Sequence, residues 1–372
     1  MRTQYDYLIV GAGFFGCSFS QQMTARGKSC LVLDRRSHVA GNAHCEEIEA
    51  IRVHQYGPHI FHTSDAEVWA YVNQYATFNH FVNAPIAIYQ DEVYNLPFNM
   101  NTFAKLWNIQ TPRQAKAIIA EQTAEYTAET PVNLEQQAIR LVGRDIYEKL
   151  ILGYTEKQWG RPCTMLPPSI IRRLPLRFTY DNNYFNDTYQ GIPIGGYDEM
   201  AWKMLTGADV LLGTDYADFI KKHPHIAMKT IYSGAIDEFF GFRLGHLEYR
   251  TIKLKHEIMD CDNWQGNAVV NYTDQTMPFT RIIEHKHFEF GTQPKTVISR
   301  EYPCEWKPGM EPYYPIRDEK NVGLYRQYAA LAKETPSVIF GGRLGTFQYD
   351  DMDKVIRIAL DTAKTEMVTG ES

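Results

Sequence analysis

The stretch YDYLIVGAGFFG, residues 5–16, constrains the fold of this chain more than any other. Its first six residues favour an extended strand, and Gly11, Gly13 and Gly16 follow at once. An amphipathic helix, CSFSQQMTARGK, and a second β-rich run, SCLVLD, complete the order strand, glycine turn, helix, strand. In that setting a glycine triplet binds a dinucleotide. Gly11 permits the tight turn, Gly13 lets the backbone approach a pyrophosphate, and Gly16 lets the helix pack on the sheet. The helix start offers free N–H groups to the phosphates. Asp34 ends the second strand 18 positions beyond Gly16 (34 − 16), which suits a carboxylate accepting from ribose hydroxyls.

Arg35, Arg36, Gly41 and Asn42 follow, a basic pair and a Gly-Asn turn that can wrap further phosphates or a ribose. FAD proteins often continue this way, whereas many NAD proteins enter another helix directly. The C-terminus points the same way. SVIF, residues 337–340, reads as a buried strand. Gly341, Gly342, Arg343, Tyr349, Asp350, Asp351 and Met352 come next, then an amphipathic helix, VIRIALDTAK. A glycine pair permits close backbone approach, and an Asp before a helix is a good N-cap. A cofactor domain split between the two chain ends needs such a return segment.

At 372 residues the chain is long for one core, so two or three domains are expected. A net charge of −6 argues against nucleic acid as the main partner. No apolar run approaches the length of a membrane span, and MRTQYDYLIVGAG lacks the pattern of a signal peptide. Cys17, Cys30, Cys45, Cys163, Cys261 and Cys304 are scattered, with no Cys-x-x-Cys pair, as in a reduced cytoplasmic protein without a zinc site.

The middle of the chain holds the candidate chemistry. LILGYTEKQWGRP, residues 150–162, breaks a helical stripe, and Gly160 and Pro162 end any helix after Trp159. Large aromatics beside an Arg serve either as a platform for a flat, charged ligand or as the lid of a core. In YGPHIFHT, His59 and His62 are open to three readings: metal ligation, hydrogen-bonded turn residues, or groups facing a flavin or substrate. Residues 101–160 read as mostly helical, with helix starts expected at Pro112 and Pro131. Residues 165–190 read as an exposed loop with Arg172, Arg173 and Arg177, either a solvated surface or a lid over a diphosphate. Residues 248–290 alternate like antiparallel strands, from which Arg250, Arg281 and Arg343 could converge.

With these pieces in hand, the chain resembles the bacterial UDP-galactopyranose mutases nearly end to end. The resemblance rests on GYTEKQWGRP, YGPHIFHT, YNLPFNMNTF, TYDNNYFNDTYQGIPIGGY, TRIIEHKHFE and GRLGTFQYDDMD. It implies an α/β fold, a Rossmann-like FAD-binding domain with a helical insertion and an antiparallel β-sheet substrate domain. The expected boundaries are 1–76, 191–240 and 310–372 for the FAD domain, 98–172 for the helical domain, and 77–97, 173–190 and 241–309 for the sheet domain. The implied activity is an isomerase interconverting UDP-galactopyranose and UDP-galactofuranose for cell-surface glycans. Reduced FAD would act as nucleophile at the anomeric carbon through its N5. A cytoplasmic homodimer, with no nucleic acid and no membrane insertion, is also implied.

Position by position, the resemblance makes Arg173 the mobile-loop arginine and Arg281 the fixed one on the diphosphate. Tyr184, Tyr314 and Tyr349 match tyrosines bonding phosphate oxygens; Tyr154 matches the residue stacked on uracil; Trp159 matches the aromatic closing the site. Arg250 and Asn83 complete the substrate set, and His59, His62 and Asp351 lie near flavin and sugar, His62 counted with Arg173 and Arg281 as catalytic. The implied cofactor residues are Gly11, Gly13, Phe14, Phe15, Gly16, Asp34, Arg35, Gly41, Asn42, His59, Ile60, Gly342, Arg343, Tyr349, Asp351 and Met352. Asp34 stands where the FAD class often has Glu. His59 stands where mutases accepting N-acetylated sugars can have Arg, which favours unmodified galactose. The alternatives are an FAD-dependent amine oxidase, a mutase for UDP-N-acetylgalactosamine, or a nucleotide-sugar binding protein with a structural flavin. An NAD dehydrogenase would leave the C-terminal segment without a role.

Overall fold

The computed structural model describes residues 2, 4–126, 130–171 and 174–370. Strands Val338–Phe340, Ala227–Tyr232, Tyr5–Val10, Cys30–Leu33 and Asp209–Leu211 lie side by side in that order, all parallel. Tyr5–Val10 is almost wholly apolar because helices cover both its faces. Phe14–Thr24, Gly196–Met204 and Met352–Gly370 pack on the face that carries Tyr7 and Ile9. Tyr216–Lys222 packs on the face that carries Leu8 and Leu31. The first helix begins at Phe14, earlier than the expected Cys17, because extended Gly13 serves as its N-cap. SVIF does form a strand, Val338–Phe340, but at the sheet edge and only half buried, since one side has no neighbour. Both chain ends therefore reach the same sheet.

A second sheet runs in the order Tyr314–Pro315, Tyr249–Met259, Thr296–Glu305, Arg281–Glu284, Val269–Tyr272, Ile86–Tyr89, Glu92–Asn95. All its neighbours are antiparallel except Val269–Tyr272 with Ile86–Tyr89. Sequence periodicity missed Thr296–Glu305. Four consecutive buried residues, Thr296 to Ser299, hide its alternation, and Pro303 argues against a strand interior. FTRIIEHKHF is a strand only from Arg281 to Glu284, after which the chain turns through His285–Glu289.

Helices Met100–Trp107, Pro112–Thr123 and Leu134–Val142 enclose a core containing Phe103, Ile119, Leu134 and Ile139. Pro112 takes the first helical position, with Thr111 as cap. Pro131 does not start a helix. The Asn133 side chain accepts the Gln136 N–H and moves the start to Leu134. Residues 150–159 are not irregular either. A π-helical turn, Tyr147–Leu152, leads into a helix, Gly153–Trp159, that ends at left-handed Gly160. The extra residue in a π turn rotates everything after it, which is why the apolar stripe breaks. Among the described residues, no helix is long and apolar enough to cross a membrane.

The helical layer is locked to the second sheet at this point. A Cβ on Gly153 would lie 2.2 Å from the Thr273 carbonyl oxygen, so only glycine permits the contact. Lys157 Nζ donates to the carbonyls of Tyr272, Asp274 and Phe279 at 2.7, 2.8 and 2.9 Å. Burial pulls its pKa down to about 8.

Buried histidines set the acid limit of this fold. His54 is 2% exposed, its ring stacks on Phe288 at 4.6 Å, and burial pushes its pKa down to about 3. His285 is 1% exposed and is held well below the ordinary value by the same cause. In the unfolded chain both take up a proton near pH 6.5. The unfolded state then binds more protons, so stability is full above that pH and falls as pH drops toward the folded values. We expect the urea midpoint to fall from pH 6.5 to 4.5, with the unfolding free energy dropping by up to about 1.4 kcal/mol per pH unit for each histidine. A flat midpoint would contradict their burial as neutral rings.

Candidate functional site

Glycine contacts shape a cradle at the C-terminal edge of the parallel sheet. Gly11 has φ 107°, and a Cβ there would sit 2.1 Å from Ser233 Oγ. On Gly16 a Cβ would sit 2.0 Å from the Gly11 carbonyl oxygen. Gly41 packs on the Gly13 backbone, its hypothetical Cβ 3.1 Å from Gly13 Cα. No side chain caps the Phe14–Thr24 helix, so its first-turn N–H groups remain as donors for an anion. Asp34 accepts the backbone N–H groups of Ala12 at 2.8 Å and Arg36 at 2.9 Å, closing the turn from below. Each of its oxygens keeps a lone pair for a ribose hydroxyl.

Above the cradle lies a cavity of about 570 Å³. Gly11, Gly13, Phe14, Phe15, Asp34 and Arg35 line it from the first βαβ unit, and Gly41, Asn42 and His59 from the segment that follows. Gly342, Arg343, Asp350 and Met352 arrive from the C-terminus. Arg35 is 3.7 Å from Glu238 and 3.9 Å from Glu311. Arg36 also pairs with Glu311 and lies 4.6 Å over the Tyr56 ring. His59 Nδ1 is 2.8 Å from the Gly57 carbonyl, so this nitrogen carries the proton. Burial lowers the His59 pKa to about 4, leaving a neutral ring with Nε2 as acceptor.

Four of the expected cofactor residues, Gly16, Ile60, Tyr349 and Asp351, do not line this cavity. Gly16 is consumed in helix–strand packing. Ile60 is buried against Phe81, Ile192 and Phe288. Asp351 is 3.5 Å from Lys354, and its neighbours Asp350 and Met352 reach the cavity instead. Among the described residues, no group of three or more His, Cys, Asp and Glu could hold a metal ion.

A second cluster forms on one face of the antiparallel sheet. Arg281 lies opposite Glu301, which lies opposite Leu254, and Arg250 lies opposite Tyr314. Side chains alternate along a strand, so residues 250, 252 and 254 share a face, and Arg250, Arg281, Glu301 and Tyr314 share it too. Arg281 Nε is 3.1 Å from the Glu301 carboxylate, which is 1% exposed and also accepts the Thr280 hydroxyl at 2.9 Å. Arg281 Nη2 donates to Tyr154 Oη at 2.6 Å. Burial opposes the charge on Arg281, but Glu301 and the Tyr154, Tyr314 and Tyr349 hydroxyls outweigh it and hold the guanidinium well above its ordinary pKa. Burial pushes Tyr154 up to about 12 despite Arg281.

Tyr349 links the cluster to the cavity. Its ring is 5.3 Å from Tyr314, Arg343 lies 4.8 Å over it, and Arg343 lines the cavity and donates to the Tyr313 carbonyl. Tyr349 is 55% and Tyr184 46% exposed, so both rings remain available to a ligand. Tyr184 acts electrostatically on Tyr154, and its N–H donates to the Asn83 carbonyl at 2.7 Å. Asn83 N–H in turn donates to Gln190 Oε1 at 3.0 Å. His62 sits beside this strap, its Nδ1 2.7 Å from Asp187.

Two expectations are redirected. Arg250 Nε donates to the Gln158 carbonyl at 3.0 Å, so in this structure it supports the end of the Gly153–Trp159 helix. Trp159 packs against the helical core. Arg173 lies outside the described residues. Sequence reasoning missed Glu301, which sits in the unrecognised strand. Asp187 was also missed, although it stands inside TYDNNYFNDTYQGIPIGGY, as was Ser233, at the end of an unremarked β-rich run, AMKTIY.

The chain matches two family profiles: UDP-galactopyranose mutase over residues 149–349, and NAD(P)-binding Rossmann-like domain over residues 9–75. It is 38% identical to a probable UDP-galactopyranose mutase of Klebsiella pneumoniae, covering 96% of this chain and 94% of that one. It is 34% identical to a dTDP-fucopyranose mutase of Escherichia coli, covering 96% and 97%. Its fold is similar to a crystal structure of reduced UDP-galactopyranose mutase, with a TM-score of 0.74 at 14% identity over 99% of this chain and 96% of that one. It is also similar to putrescine oxidase, with a TM-score of 0.59 at 13% identity over 98% and 99%.

Glu301→Ala would leave the Arg281 charge without its buried partner. We expect a stability loss of about 2 kcal/mol by urea titration, less than for a fully buried pair because 21% of the Arg281 side chain stays exposed. An unchanged midpoint would remove Glu301 from this role.

Proposed function

We propose, from the premise that the chain belongs to the UDP-galactopyranose mutase family, that it interconverts UDP-galactopyranose and UDP-galactofuranose with reduced FAD. The chain is an isomerase by family. The observation that carries the substrate reading is the Arg281 guanidinium, buried against Glu301 and ringed by Tyr154, Tyr314 and Tyr349, beside a dinucleotide cradle. A permanently charged donor with phenol hydroxyls around it suits a diphosphate.

The cradle suits FAD. Uncapped N–H groups of the first helix would hold its pyrophosphate, and Asp34 its ribose. Gly342 has φ 67°, and its hypothetical Cβ would lie 3.1 Å from Ser233 Cβ, so glycine keeps the far wall low enough for a flat ring. When bound and reduced, FAD supplies a nucleophile for the anomeric carbon of the sugar. Arg281, already fixed by Glu301, stabilises the negative charge that gathers on the departing diphosphate. Tyr314, Tyr349 and Tyr184 donate to phosphate oxygens, Tyr154 offers its ring to the base, and Arg173 is the second arginine for the diphosphate. A second reading, a dTDP-fucopyranose mutase, is favoured by the 34% identical relative. His59 supports a sugar without an N-acetyl group. Cytoplasmic location, a homodimer and supply of galactofuranose to cell-surface glycans complete the proposal.

The test is one assay on purified protein. The visible spectrum is recorded, the protein is reduced with dithionite, and UDP-galactofuranose or the furanose form of dTDP-fucose is added. Chromatography follows the pyranose product. We expect a flavin spectrum, turnover only after reduction, and faster turnover of the uridine sugar. Arg281→Ala is expected to lose about 100-fold or more in turnover while keeping its FAD. Loss of FAD instead would assign Arg281 to the cofactor or the fold, and flavin without interconversion would point to an oxidase or a binding protein.

A further inference from the structure

We propose that Asp187 and His62 form a proton-transfer dyad. In it Asp187 is a positioning residue that holds the His62 Nδ1–H and leaves Nε2 as the acceptor that moves the sugar proton during ring contraction. This rests on the mutase reading above.

The geometry carries the pairing. His62 lies in the short strand Phe61–Thr63, paired antiparallel with Tyr189–Gly191. Its Nδ1 is 2.7 Å from Asp187 Oδ2, and the other oxygen, Oδ1, accepts the Ser64 hydroxyl at 2.7 Å. Burial opposes ionisation of Asp187, but the hydrogen bonds from Ser64 and His62 outweigh it and hold the carboxyl below its usual range. An ionised carboxylate only accepts, so the proton in this contact belongs to Nδ1, and a neutral ring then carries its lone pair on Nε2. Phe185 stacks on the imidazole with centroids 3.7 Å apart and planes at 15°, which stops the ring from rotating out of the pair. Among the described residues, no hydrogen bond occupies Nε2.

The neighbours of the dyad along the chain and in space reach the cavity and the Tyr154 cluster, which is the ground for assigning it to the sugar. His59, three residues earlier, lines the cavity. Thr63, the next residue, donates to Asp353 at 3.0 Å, and neighbouring Met352 lines the same cavity. Phe185 follows Tyr184, which belongs to the Arg281 cluster.

The reaction needs such a group. Converting a pyranose to a furanose breaks the bond between C1 and the ring oxygen O5 and forms one between C1 and O4. The C1–O5 electron pair stays on O5, and an O4 lone pair makes the new bond. One proton leaves the O4 hydroxyl and one arrives on O5, so a single base that accepts and then returns a proton balances the step with no oxidant or reductant. A neutral imidazole held in one tautomer does this at neutral pH.

Nitrogen-15 NMR of histidine-labelled protein, with His62 assigned by its loss in His62→Gln, reads the tautomer without any turnover. The expected result is protonated Nδ1 and bare Nε2 in the wild type, shifting toward protonated Nε2 in Asp187→Asn. Kinetics give the second arm. Asp187→Asn and His62→Gln should each lower kcat by about 100-fold or more, with KM within about threefold and the flavin spectrum retained. The double variant should be no slower than His62→Gln alone, since both changes disable one unit. A wild-type His62 protonated on Nε2, a near-normal kcat in Asp187→Asn, or losses that multiply would overturn the dyad. If the wild type fails to turn over either sugar, the mutase reading falls, and the tautomer arm still decides whether Asp187 sets the His62 proton.

Discussion

A guanidinium removed from water must be matched, and the pairing of Arg281 with Glu301 meets that demand at the centre of the antiparallel sheet. The pair joins adjacent strands, Arg281–Glu284 and Thr296–Glu305, at one cross-strand position. Glu301 is itself held by Thr280, so the carboxylate cannot swing away. With the charge matched on one side, Arg281 donates from Nη2 to Tyr154, and three tyrosine hydroxyls gather within its field. A positive centre that costs nothing to reorganise is what charge developing on a leaving group requires. Had Arg281 been free, it would lie in solvent and pay rotamer entropy for every contact.

The helical insertion depends on that sheet as much as the sheet depends on its ion pair. Tyr154 reaches Arg281 because the Gly153–Trp159 helix lies directly on the 272–279 turn. Glycine at 153 allows the approach and Lys157 binds three carbonyls of that turn. The π turn just before it aims the helix, and Arg250 supports its last turn through Gln158. The strap from residue 177 to 190 is fixed in the same economical way. Arg177 donates to the Tyr184 carbonyl at 3.0 Å, and Asn99 Nδ2 donates to the Asp181 carbonyl at 2.8 Å. Tyr184, Phe185 and Asp187 thereby come from one short segment, Tyr184 toward Tyr154 and the other two against His62.

Much of the cofactor half was legible in the sequence. Gly11, Gly13, Gly16 and Asp34 are local chemistry: each acts within a few residues of a strand end, and their spacing follows from one βα turn. Gly342 and Arg343 were legible for the same reason. Boundaries were less so. The first helix starts at Phe14 and not Cys17, and Leu134 and not Pro131 opens a helix, because caps at Gly13 and Asn133 decide those starts and periodicity does not see caps. The break at residues 150–159 was visible, but its cause, a π turn inside continuous helix, was not.

The sequence by itself determined the glycine turn of the parallel-sheet unit and the family to which these motifs point, because such signals are short-range and survive without a partner. Only the tertiary structure decided which groups meet. Arg281 and Glu301 are 20 residues apart (301 − 281), Tyr154 and Arg281 127 apart, and His62 and Asp187 125 apart. No periodicity carries such pairings. They arise because the fold sets strands, a helix and a loop side by side in an order unlike the chain order, and because a buried polar group must find a partner there.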